Sequence, residues 1–91
     1  MNKEKMGLFL KKLRKDKKLS LEELSNIFEE QAYLTVSVNA ISNWERGKTI
    51  PDIDNLNFLS NYYGLSIDEI LNGERKKDSE LMKSFFLFPN C

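Results

Sequence analysis

The chain has 91 residues, 41% hydrophobic and 31% charged, with a formal net charge of zero, which is the size and balance of one compact globular domain with at most a short tail. Histidine is absent and the one cysteine is Cys91, so the usual catalytic base, the commonest metal ligand, a disulfide framework and a Cys-rich zinc set are all missing. No apolar run approaches the ~20 residues that span a bilayer, and residues 1–5 open on no apolar signal segment, which sets aside secreted, membrane and most enzymatic classes.

Five short helices follow from caps and apolar spacing. The first covers about Lys5 to Lys17, with Met6, Leu10 and Leu13 recurring at intervals of three and four. Ser20 and Glu23 have the spacing of a capping box and open the second, whose apolar side holds Leu24, Ile27 and Phe28. Ser37 is a good N-cap for the third, which carries Val38, Ile41 and Trp44 and stops near Gly47. Pro51-Asp52 starts the fourth, with Ile53, Leu56, Leu59 and Tyr63 before Gly64. Ser66 and Glu69 form a second capping box for a short fifth helix that ends at Gly73. No alternating strand pattern of useful length occurs, so the expected fold is all-α.

From Glu74 the composition turns to Glu-Arg-Lys-Lys-Asp, the charge density of a solvated linker. Leu81, Met82, Phe85, Phe86, Leu87 and Phe88 then crowd together and stop at Pro89. With Asp78 as N-cap, this pattern predicts a sixth helix whose apolar stripe is covered either in cis, on the fourth and fifth helices, or in trans by a second copy of the chain, the reading favoured here. The domain division is therefore residues 1–73 for the helical domain and 74–91 for linker and apolar helix.

The neutral total conceals a polarity. Residues 1–18 hold eight basic side chains against Glu4 and Asp16, and the rest of the chain carries the matching acidic excess. Polyanions respond to local potential, so neutrality does not exclude one as a partner. Taken alone, the lysines read equally well as a solvated helix face.

The sequence Ile41-Ser42-Asn43-Trp44-Glu45-Arg46-Gly47-Lys48, followed by Pro51, sharpens the reading. Together with Leu13-Arg14 and Leu19-Ser20-Leu21-Glu22-Glu23-Leu24 upstream, it resembles the Cro/repressor (Xre) family of helix-turn-helix DNA-binding domains over roughly residues 6–71. The resemblance implies a five-helix, repressor-type domain: a cytoplasmic, sequence-specific, double-stranded DNA-binding transcriptional regulator. It implies a repressor, acting as a homodimer and reading the major groove with its third helix. The family's base-reading positions fall on Val38, Asn39, Ser42 and Asn43. Asparagine suits adenine and valine suits a thymine methyl. Phosphate contacts fall on Ser20, Ser37, Arg46, Lys48 and Thr49, and a structural ion pair on Arg14 and Glu45. No cofactor, metal or enzymatic activity is expected. The carboxylates at Glu22-Glu23 and Asp68-Glu69 are explained by helix dipoles at first turns.

The chain departs from the family between its second and third helices. From Leu24 to Ile41 it is roughly six residues longer, the turn glycine is missing, and the surplus falls within 29–35. Either the second helix runs on to about Ala32 or a longer loop bulges outward. Leu21 and Ser25 stand where glutamine and alanine are common, and the missing glutamine removes one expected phosphate contact. An alternative function, an antitoxin or other protein-interaction module on the same fold, would give the insert and the apolar tail to a partner protein.

Overall fold

The computed structural model describes residues 1–76; the predicted sixth helix and its pairing stripe lie outside the described residues. Five helices fill them: α1 Lys3–Asp16, α2 Leu21–Ala32, α3 Val38–Glu45, α4 Ile53–Tyr63 and α5 Ile67–Asn72, with no strand among the described residues. Each opens on a polar residue in extended backbone whose side chain accepts a first-turn N–H: Asn2, Ser20, Ser37, Asp52 and Ser66. Both capping boxes are complete. The first helix starts at Lys3, ahead of the apolar periodicity, because the Lys5 N–H donates to Asn2 Oδ1 at 3.1 Å.

One core binds the helices. Met6 from α1, Phe28 from α2, Ile41 from α3, Leu59 from α4 and Ile70 from α5 are almost wholly enclosed. Burying each such side chain contributes about 1.5–3 kcal/mol. Phe28 stands edge-on to Trp44 with centroids 5.9 Å apart and tilts against Phe58 at 4.8 Å, so aromatic packing joins α2, α3 and α4 at one point.

The surplus between α2 and α3 is absorbed mainly by helix. The α2 helix runs to Ala32 and ends where Tyr33 takes the left-handed conformation, φ 56°, a place usually given to glycine. The chain then passes through buried Val36 to the Ser37 cap without helix or strand, and the Ser25 hydroxyl donates to the Val36 carbonyl at 2.5 Å. Of the two alternatives in the sequence, the longer helix is the one formed.

Residues 74–76, charge-dense enough to read as linker, fold back instead. The Lys76 N–H donates to Glu69 Oε2 at 2.8 Å, and Glu74 pairs with Lys5 of α1 at 3.4 Å. Hydrogen bonds from the Ser66 and Lys76 backbones hold the Glu69 carboxyl below its ordinary range. At Gly73 the first and last helices touch: a Cβ there would stand 2.8 Å from the Lys5 carbonyl oxygen.

Candidate nucleic-acid interface

Helical spacing divides α3 into two faces. Ile41, Trp44 and Glu45 point inward and are buried. Val38 and Asn39 are exposed at its first turn, and Ser42 and Asn43 are half-buried one turn later. The four residues to which the resemblance assigns base contacts therefore share the side of the helix that faces away from the core.

Two devices seat α3 against α1. Arg14 Nε lies 2.7 Å from Glu45 Oε2 and Arg14 Nη2 donates to Glu45 Oε1 at 2.9 Å, a two-pronged pair, while Nη1 donates to the Leu19 carbonyl at 2.8 Å. Both side chains are more than nine-tenths shielded from water, at 9% and 7% exposure. The hydrogen bonds to Glu45 raise the arginine's pKa above its already high ordinary value, against the opposing pull of burial. A cation whose pKa is raised on folding contributes stability that is lost only as pH climbs through that raised value, so this contribution is complete at neutral pH. Tyr63 at the end of α4 is raised too, chiefly by burial, and its hydroxyl is enclosed with no hydrogen-bond partner among the described residues.

The second device is Gly7, which sequence reasoning missed. A Cβ at Gly7 would stand 2.5 Å from the Glu45 carbonyl oxygen and 2.6 Å from that of Trp44, so the α1 backbone touches the last turn of α3. Only glycine fits there. Its signal was present in the sequence: Gly7, Leu10 and Arg14 share one buried stripe of α1, and glycine inside such a stripe marks a close approach.

The phosphate candidates divide between helix starts and a loop. Ser20 Oγ accepts from the Glu23 N–H and Ser37 Oγ from the Ala40 N–H, both at 3.0 Å. The two helix starts differ in charge: α2 carries Glu22 and Glu23 in its first turn, whereas α3 carries no acid there, alone among the five helices. The positive end of the α3 dipole is thus uncompensated by side chains. Exposed Lys48 and Thr49 leave the end of α3 on backbone N–H donations to the Asn43 carbonyl, at 2.9 and 3.4 Å. Arg46 is exposed, and its Nη2 donates to Asn43 Oδ1 at 2.8 Å. No group of three or more metal-ligating side chains gathers among the described residues.

Two capped helices joined by a short non-helical segment, the second seated on the core and presenting Val38, Asn39, Ser42 and Asn43 outward, define a helix-turn-helix. A family model described as a helix-turn-helix domain matches residues 7–76, and the chain belongs to that family, with a DNA-binding domain of the Cro/repressor type. Over 65 residues it is 43% identical to the "HTH-type transcriptional activator BcrR" of Enterococcus faecalis, covering 71% of this chain and 29% of that protein. The chain thus spans less than a third of that relative's length. No solved structure matches it. No helix among the described residues is long and apolar enough to cross a membrane.

Proposed function

We propose that this chain is a sequence-specific regulator of transcription that lays α3 in the DNA major groove. The carrying observation is the construction of α3: its outward side offers Val38, Asn39, Ser42 and Asn43, its first turn is free of acids, and a buried ion pair seats its inner side. The major groove is wide enough for one helix, and base edges there distinguish all four pairs. Ser20, Ser37, Lys48 and Thr49 grip phosphates and set the orientation without reading sequence. Glu22 and Glu23 repel the backbone, which makes Ser37 the stronger of the two helix-start contacts.

Occupancy of an operator that excludes polymerase makes the protein a repressor. The similarity to a relative named as an activator favours a second reading, in which the same head docks beside a promoter and recruits. Two heads on half-sites about 34 Å apart call for a homodimer, and we assign the pairing to Leu81, Phe85 and Phe88. Selection of bound duplexes from a random pool tests the central claim. It is expected to return an enriched half-site, bound with a steep salt dependence. Recovery of no sequence above random duplex would overturn it. Light scattering on the full chain, with and without serine at 81, 85 and 88, tests the pairing: the wild-type mass is expected to be twice that of the variant.

A further inference from the structure

The side chains of Asn39 and Asn43 are chemically identical, yet the structure places them in different states. Asn39 is exposed and makes no side-chain hydrogen bond among the described residues, so its amide offers one acceptor and two donors to whatever approaches. Asn43 is half-buried, and its Oδ1 accepts from Arg46 Nη2 at 2.8 Å. A guanidinium has only donors, so the atom of the amide that faces it must be the carbonyl oxygen. The backbone of Asn43 is fixed as well, since its carbonyl accepts from the Lys48 and Thr49 N–H groups. Asn43 is therefore held at both ends.

We infer that Asn43 and Arg46 read a base as one unit, and that the base is guanine rather than adenine. This rests on the proposal that α3 lies in the major groove. Asparagine recognises adenine by accepting from N6 while donating to N7, which requires its oxygen to face the base. In this chain one lone pair of that oxygen is taken by Arg46, and a donor brought to the other meets the positive charge of the guanidinium beside it. What the pair offers outward is the Asn43 amide N–H and the remaining Arg46 N–H groups. Guanine, with acceptors at both O6 and N7, matches a donor-only edge, whereas adenine places a donor against it. Arg46 thereby becomes a specificity-determining residue as well as a positive charge near phosphate. Asn39, with both amide functions available, keeps the adenine preference.

The assignment is tested with the full chain by repeating the random-pool selection with wild type, Asn43→Ala, Arg46→Ala and Asn43→Asp. Circular dichroism on each variant verifies folding. Wild type is expected to enrich a guanine that Asn43→Ala no longer enriches. Removing the guanidinium in Arg46→Ala releases Oδ1, and the guanine-over-adenine preference at that one position is expected to fall about tenfold or more. Asn43→Asp reverses the edge from donor to acceptor and is expected to shift the preference toward cytosine, whose N4 donates. Replacing the selected guanine by 7-deazaguanine, which lacks the N7 acceptor, is expected to weaken wild type more than Asn43→Ala. Adenine enriched at the Asn43-dependent position would overturn the assignment. An Arg46→Ala profile that weakens all sequences equally would overturn it too, returning Arg46 to the phosphates. A pool with no enriched position would overturn the sequence-specific reading itself, and this assignment with it.

Discussion

Toward α1, helix α3 is seated by a buried two-pronged ion pair and by backbone in direct contact at Gly7. Toward α2 it is reached through a short non-helical segment held by the Ser25 hydroxyl on the Val36 carbonyl, by the Leu34 N–H on the Phe28 carbonyl and by buried Val36, with Tyr33 almost wholly in solvent at its start. The first junction joins groups far apart in sequence and tolerates no added atom at Gly7; the second joins groups near in sequence and leaves Tyr33, Thr35 and Ser37 exposed. The contrast indicates that the orientation of α3 is set by its seat on α1 more than by the segment that precedes it. It also explains how the chain accommodates a lengthened α2 while keeping the remaining geometry.

The largest effect is expected from Glu45→Ala, which leaves Arg14 buried without its partner and should cost about 3–5 kcal/mol in urea unfolding. The pair Arg14→Met with Glu45→Leu, which removes both charges, should recover most of that loss. If the double substitution is as damaging as the single one, the charges are not what seats α3. Gly7→Ala comes next. Its methyl meets two backbone oxygens, and the strain of forcing α1 away from α3 should cost about 2–3 kcal/mol and weaken DNA binding in a gel shift. Binding unchanged by this substitution would show that α3 holds its aim without α1. Ser25→Ala removes one hydrogen bond at the other junction and should lower stability by only about 1 kcal/mol. A loss larger than that of Glu45→Ala would invert the comparison. The smallest effect is expected at Tyr33. Glycine there relieves the left-handed backbone at some cost in chain entropy, for a net gain of about 0.5 kcal/mol measured by thermal unfolding. A loss of stability instead would reveal that the tyrosine ring holds the turn.

Much of this could be read from residue order because the signals were local. Ser20 with Glu23 and Ser66 with Glu69 act within one helical turn, so their spacing alone specifies the two capping boxes. Gly64 and Gly73 end their helices in the left-handed conformation for an equally local reason. Contacts between distant segments were not legible in this way. The meeting of Arg14 with Glu45 came from a resemblance and not from periodicity, since nothing near either residue reveals the other. Gly7 lies in the buried stripe of α1, but its sequence position does not say which backbone it meets. Tyr33 ends α2 in a conformation that its residue type disfavours, so the length of α2 stayed open in the sequence. The Asn43–Arg46 bond has ordinary helical spacing, but spacing makes the two side chains neighbours without saying that they bond to each other rather than to solvent.

The contact between Gly73 and Lys5 has a consequence for the order in which the molecule acquires its shape. Helix α1 rests on the last helix described, so it cannot complete its contacts until the chain through Glu74 is present. Its partners α3 and α5 are distant in the chain, which raises the mean sequence separation of contacts above that of a bundle packed neighbour on neighbour. Closing the long loop from α1 to α5 costs chain entropy before its contacts form, so folding of the domain is expected to be collective. The amides of α1 should therefore gain protection from exchange in step with those of α5, and later than those of the α2 capping box.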